Sequence, residues 1–513
     1  MKKIIWILGI IFLSIIIVLN LLFTTDLDSS EHATVEFNNV IYVIGLVVAG
    51  VALFLLTRFI NEHLYKDYES KKKLRKYLFI GAIAIYIIFC IVWVVLVNPY
   101  VVGDSVHVCN LAQTFYRKDL EEFLPDMTYL GVPLRDYMQA YPQQITLSFV
   151  YSLFFRLIHF DVMEVLRALN IISIILIVFS VYKIGNQLSK TYKTNKVLLL
   201  TLILTFISLP MLETFIYGDI PSLALCLLAV YFMMKFTETK KIRYPIFASI
   251  FTMIAYMMRM NSLIFIIATV IYLLMNLFKE ITKKKAKENI LNISIIAIYL
   301  VISILPTTIV QNYFYDAYGL DKSKIYPKIS YVYMAMEEGP RGNGWYSEDI
   351  AVHAIKNPEN IQEEYTEKIK SRLDYFAKNP GYTFNFYVTK IASMWTENTY
   401  SAVRNNTKQE NDDPLENIIG PLTFYQKVLL IITCVCTLIV LIQNRKNLSM
   451  DLIFLLTIFV GGFAFHILWE AKSRYIIPYI IVLIPIASIW INKFKIIDKM
   501  KNLVNSKINK KVM

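Results

Sequence analysis

Apolar runs of about twenty residues, separated by short charged loops, recur along this chain and set the narrowest limit on its fold. A hydrocarbon core about 30 Å thick is crossed by a helix of about 20 apolar residues. Isolated strands cannot satisfy their backbone groups in lipid, so runs of this kind are expected to be helices. Twelve spans are expected, at about 4–23, 39–57, 77–97, 168–188, 196–211, 220–236, 244–258, 262–278, 290–311, 424–443, 452–469 and 475–492. The expected fold class is an all-α polytopic membrane protein with interfacial helices and two large outer segments. An apolar fraction of 56 % over 513 residues excludes an ordinary soluble protein.

A net charge of +13 would point to nucleic acid in a soluble chain. Here Lys and Arg cluster in loops between apolar runs, which is the signature of loops facing an anionic inner leaflet. The expected partner is therefore the lipid bilayer, and no nucleic acid. Met1-Lys2-Lys3 followed by an apolar run to Phe23 lacks a small-residue cleavage site, so it is read as a first span rather than a removed leader. Cys90, Cys109, Cys226, Cys434 and Cys436 fall mostly in apolar runs and suggest neither a disulfide nor a metal pair.

Loop charge sets the orientation. Residues 24–38 hold Asp26, Asp28, Glu31 and Glu36 without Lys or Arg, and are expected outside. Residues 58–76 hold Arg58, Lys66, Lys71, Lys72, Lys73, Arg75 and Lys76, and are expected inside. A further apolar stretch at 143–158 creates a conflict. If it spanned, every later basic loop would be inverted. If it lies flat in the interface, the loops around Lys190, Lys235–Arg243, Lys279–Lys287, Arg445–Lys446 and Lys493–Lys511 all face inward. Pro142 at its start and Arg156, His159 and Asp161 at its end suit an amphipathic interfacial helix. The division that follows is two N-terminal spans (1–76), a core (77–311) with a first outer loop at 98–167, an extracytoplasmic segment (312–423) with a helix expected at 359–378, and C-terminal spans with a basic tail (424–513). Both termini are expected in the cytoplasm of a cell-membrane protein.

Ionisable residues beside membrane segments are costly and point to function. With this topology several fall at outer helix ends: Asp104 with His107 one turn on, Glu213 and Asp219, Arg259, and Glu470, Lys472 and Arg474. Any single Lys or Arg could simply snorkel to the interface. A set far apart in sequence yet on one membrane face is what a composite active site requires.

This set suits transfer of a sugar carried on a polyprenyl phosphate. Arg474 and Arg259 would hold the phosphate and stabilise it as a leaving group. Asp104 would take the proton of an acceptor hydroxyl. Attack opposite the phosphate inverts the anomeric carbon. Asp219 and Glu213 would bind sugar hydroxyls or orient Arg259, and Glu470 and His107 would bind the sugar or acceptor. The acceptor would be an envelope polymer, a lipid or a protein. No cofactor is required, while a divalent cation held by the acids stays open. There is no nucleophile elbow, HExxH or Gly-rich phosphate loop.

The order of these motifs resembles the membrane-embedded, lipid-dependent glycosyltransferases of the GT-C fold, in the bacterial branch related to protein O-mannosyltransferases and the lipid A aminoarabinose transferase. The resemblance rests on Gly103-Asp104-Ser105, Tyr141-Pro142, Tyr217-Gly218-Asp219-Ile220-Pro221, and Glu470 through Arg474-Tyr475 to Pro478. It covers about 77–495 and leaves the two N-terminal spans as additions to the family core. It implies Asp104 as catalytic base, Arg474 on the lipid phosphate, Tyr141 as a sugar- or acceptor-binding aromatic, and Arg341 as a residue closing over the sugar or acceptor. Two other classes compete. A flippase of lipid-linked sugars should show inverted repeats and midplane charges, and neither is visible. A polysaccharide polymerase or ligase should carry an arginine-rich outer loop, whereas 312–423 has arginines only at 341, 372 and 404.

Overall fold

The computed structural model describes residues 1–65, 72–97, 103–117, 128–129, 132–281, 286–406 and 416–491. Lys66, Lys71 and the basic tail 493–511, used above for orientation, lie outside the described residues. Helices dominate, and the protein is a multi-pass membrane protein. Among the described residues nine helices are long and apolar enough to cross a bilayer, from Lys2–Leu22 to Met450–Ile467. The expected count of about twelve is therefore not established. The other three runs appear as Arg243–Met258, Ser262–Phe278 and Ser473–Ala487, which are apolar but short. Sixteen residues, as in Arg243–Met258, rise only about 24 Å in an α-helix.

The central helices are the most buried and pack against one another. Asp219–Thr239 packs chiefly on Arg243–Met258 and Met163–Leu188, and Ile477–Ala487 packs between Glu416–Gln443 and Met450–Ile467. The peripheral helices Val40–Tyr65 and Lys72–Val97 instead expose Ile41, Val48, Leu55, Ile85 and Val95. Such an apolar outer face is stable only against lipid.

The stretch expected to lie flat forms the helix Pro142–Ile158, with Pro142 in its first turn and His159 closing it in a left-handed conformation. It is not among the nine spanning helices. It packs on the helix Asp104–Arg117, and Ser148 Oγ donates to the Val108 carbonyl at 3.0 Å. The helix expected at 359–378 is Pro358–Lys378.

Two features of the face that carries residues 24–38 were not foreseen. The acidic loop 24–38 is a β-hairpin, Phe23–Leu27 paired antiparallel with Ala33–Phe37. The helix Pro380–Trp395 docks on this hairpin and on Lys2–Leu22. The N-terminal segment and the 312–423 segment thus form one packed layer over the central helices.

Candidate active site

Asp104 opens the helix Asp104–Arg117, directly after Gly103 at φ 59°. The helix dipole favours a carboxylate in this first turn. Tyr217 Oη donates to Asp104 Oδ2 at 2.8 Å and Tyr137 Oη to Oδ1 at 3.2 Å. Each carboxylate oxygen has a second lone pair, so both remain able to accept from a further hydroxyl. Gln144, at the start of the flat helix, donates to Tyr217 Oη and so sends the Tyr217 proton toward Asp104.

The turn after Tyr217 needs a glycine. Gly218 has φ 80°, and a Cβ there would stand 2.9 Å from Leu147 Cδ1 and 3.0 Å from the Met258 carbonyl. This close passage puts Asp219 at the start of the next helix, where its Oδ1 pairs with Arg259 Nη2 at 3.1 Å. Arg259, just past the end of its own helix, lays its guanidinium 4.7 Å from the Tyr217 ring centre and 5.7 Å from that of Tyr475.

Arg474 comes to the same ring from the last outer turn. Its guanidinium lies 4.6 Å from the Phe215 ring centre, 5.5 Å from Tyr217 and 5.4 Å from Tyr475. The residue is 7 % exposed, and Nε has no hydrogen-bond partner. Among the described residues no carboxylate lies within ion-pair distance of it. Asp219, Arg259 and Arg474 border a pocket whose other walls include Leu212, Leu223, Phe265 and Ile477. A buried cation lacking its counter-charge is unfavourable by several kcal/mol unless an anion completes it. The site therefore combines a cationic end with an apolar trough, and Tyr217 links it to Asp104, with its hydroxyl on the carboxylate and its ring against Arg259 and Arg474.

The remaining candidates are distributed around this centre. Tyr141 stacks against Tyr137 and Tyr326, at centroid distances of 5.0 and 5.3 Å, on the outer side of Asp104. His107 is buried with its ring 5.3 Å from that of Tyr137. Glu470 is buried in the last outer turn; burial pushes its carboxyl up, against the pull of Lys472 and Arg474. Glu213 is separate. Its carboxylate is fully buried beside Cys90 and Arg167, and it does not line the pocket. Arg341 pairs with Glu31 and stacks over Tyr346 at 5.0 Å. It is thus held in an ion cluster beside the centre.

That cluster has no counterpart in the sequence reading. Glu31, at the tip of the N-terminal hairpin, is 3 % exposed and pairs with Arg341, with Arg404 at 2.9 Å and with Lys472 at 3.0 Å. Burial would raise its carboxyl, but Lys472, Arg404, Arg474 and Arg341 outweigh that and hold it at about 2. Tyr137, Gln144 and Tyr217 were likewise not singled out. Only Tyr217 carried a local signal, as the neighbour of Gly218-Asp219. Among the described residues no three His, Cys, Asp or Glu side chains cluster as metal ligands.

Residues 143–307 match the dolichyl-phosphate-mannose-protein mannosyltransferase family. The match contains Gln144, Tyr217, Asp219 and Arg259 and lies between Asp104 and Arg474. It supports a membrane glycosyltransferase of the GT-C type. Two solved structures of the Archaeoglobus fulgidus oligosaccharyltransferase are similar to the chain. The one tethered to an acceptor peptide with the NVT sequon is 12 % identical with a TM-score of 0.42, over 81 % of this chain and 49 % of that one. The one with an inhibitory peptide and a dolichol-phosphate is 13 % identical with a TM-score of 0.40, over 85 % and 52 %. The chain thus spans about half the length of those enzymes. No curated protein matches it.

Proposed function

We propose that the protein is an inverting glycosyltransferase that moves a sugar from a polyprenyl-phosphate donor to a hydroxyl of a cell-envelope polymer, lipid or protein. The observation that carries this reading is Arg474. A buried guanidinium whose Nε has no hydrogen-bond partner and which, among the described residues, has no carboxylate within ion-pair distance, in an apolar-walled pocket and against the tyrosine that bonds Asp104, fits a lipid phosphate whose leaving group faces a general base. The family match over 143–307 points the same way.

In the proposed step Asp104 accepts the proton of the acceptor hydroxyl. The acceptor oxygen bonds to the anomeric carbon as the bond from that carbon to the phosphate oxygen breaks. The polyprenyl phosphate leaves with the bonding pair, and Arg474 and Arg259 stabilise the charge that develops on it. Asp219 keeps Arg259 aimed at the pocket, and the prenyl tail follows the apolar wall. Glu470, Tyr141 and His107 surround the sugar and acceptor. The step draws on protein groups alone. The reaction takes place on the extracytoplasmic face of the cell membrane, with both termini in the cytoplasm.

Membranes holding the protein are expected to pass a labelled sugar from its polyprenyl phosphate into envelope material. Asp104→Asn should slow this by about a hundred- to ten-thousand-fold, the usual worth of a general base, while inserting normally. Transfer near the wild-type rate in that variant would remove Asp104 from its role.

A further inference from the structure

The turn that carries Arg474 is tethered residue by residue. The Ala471 amide donates to the Gly344 carbonyl at 2.7 Å. Lys472 Nζ pairs with Glu31 at 3.0 Å. Ser473 Oγ shares a hydrogen bond with Ser401 Oγ at 2.8 Å. The next residue is Arg474, whose side chain has no such tether. Three successive residues are thus fixed by two segments, 312–423 at Gly344 and Ser401 and the N-terminal hairpin at Glu31, and the fourth presents its guanidinium to the pocket.

Of these tethers, the one to Glu31 comes from the N-terminal hairpin. It is the most distant in sequence and lies outside the stretch matched to the mannosyltransferase family. The hairpin is built to place this carboxylate. Glu31 takes φ 64°, a left-handed conformation that is unfavourable for a residue with a Cβ. Its amide donates to the Asp28 carbonyl at 3.1 Å, and the next residues knit to the loop opposite. The His32 ring meets the Pro340 carbonyl at 2.7 Å, and the Ala33 amide donates to the Arg341 carbonyl at 2.9 Å. The two carboxylate oxygens divide their work: Oε2 takes Arg341, and Oε1 takes Arg404 and Lys472.

This distribution explains why Arg474 stays available. A guanidinium in a low-dielectric pocket turns to any carboxylate within reach. Here Asp219 Oδ1 is engaged by Arg259 while its Oδ2 has no hydrogen-bond partner, and Glu31 is engaged by three other cations. We infer that Glu31 is a positioning residue for the donor phosphate: by holding Lys472 it fixes the last outer turn so that Arg474 faces the pocket. The N-terminal hairpin is then a working part of the site and not an appendage to the catalytic core. The inference rests on the reading of Arg474 as the phosphate ligand.

The test uses the full chain in lipid nanodiscs, with undecaprenyl phosphate as the probe and binding and thermal unfolding both recorded. Arg474→Ala should weaken binding at least about tenfold. Glu31→Gln should weaken it by about tenfold as well, and the double variant should bind no worse than Arg474→Ala alone. Lys472→Met cuts the same tether from its other end and should give the same loss. It serves where Glu31→Gln fails to fold. Unchanged or tighter binding when the tether is cut, or losses that multiply in the double variant, would overturn the positioning role while leaving the phosphate site intact. Wild-type affinity in Arg474→Ala would instead remove the phosphate reading itself, and this inference with it.

Discussion

Tyr217 Oη lies 2.8 Å from Asp104 Oδ2, and its ring centre lies 5.5 Å from the Arg474 guanidinium. One side chain thus touches the base at its polar end and the phosphate ligand at its face. Tyr217→Phe separates the two contacts, because the ring stays and the hydroxyl goes. A hydrogen bond to a charged group contributes about 1.5–3 kcal/mol, so turnover is expected to fall by about ten- to a hundredfold. Affinity for the lipid phosphate should stay near wild type. Measuring kcat and donor binding side by side checks this; a loss confined to donor binding would show that the hydroxyl does not serve the base.

What could be read from the sequence was local. The apolar runs disclosed the membrane helices, and Pro142 with its charged exit disclosed the helix Pro142–Ile158. Gly103-Asp104, Tyr217-Gly218-Asp219 and Lys472 through Tyr475 each announce a turn that ends in a charge, and the fold gathers all three around one ring. Glu31 could not be found this way. It is 310 residues from Arg341 and 373 from Arg404, and an acid in an acidic loop looks like a topology signal. The partner of Arg341 was invisible for the same reason. Glu213 stood six residues from Asp219, but the 3₁₀ turn Leu212–Thr214 points it toward Cys90 and Arg167. Proximity in sequence did not become proximity in space.

The orientation has its own test. Ser189 and Lys190 follow the helix Met163–Leu188, and Ile350 lies in the helix Glu348–Lys356 of the packed outer layer. Reporter tags at 190 and 350 are expected on opposite sides of the membrane, with 350 outside. Finding 190 outside and 350 inside would mean that the helix Pro142–Ile158 crosses the bilayer after all, and finding both on one side would break the expected five spans between them.

Glu31 also predicts a pH dependence. Its carboxyl is held at about 2 against an ordinary 4.5, so the unfolded chain binds its proton more readily than the folded one. The stabilisation is therefore fully present above about 4.5 and is lost as pH falls toward 2. Other carboxylates titrate in the same window, so the difference between wild type and Glu31→Gln isolates the effect. The thermal unfolding temperatures of the two should differ by a constant amount from pH 7 to 5 and converge below that. A gap that persists unchanged at low pH would mean that the ion cluster contributes nothing through its charge.

Lys390 joins the outer layer to the end of the helix Met450–Ile467. It is fully buried and donates all three ammonium protons, to the carbonyls of Ala335, Ile467 and Trp469 at 2.8, 2.9 and 3.0 Å. The last two belong to the C-terminal end of that helix, where orphan carbonyls collect and the dipole favours a cation. Lys390→Met keeps the stem but strands three buried acceptors, each worth about 1–3 kcal/mol when unpaired. Water and relaxation recover part of this, so a net loss of about 3 kcal/mol is expected, read as a drop of several degrees in unfolding temperature in nanodiscs. Because Trp469 directly precedes Glu470 and the Arg474 turn, undecaprenyl phosphate binding should weaken in the same variant. A protein that melts as wild type would mean that the three carbonyls find other donors, and that the layer is held to the helices by its apolar contacts alone.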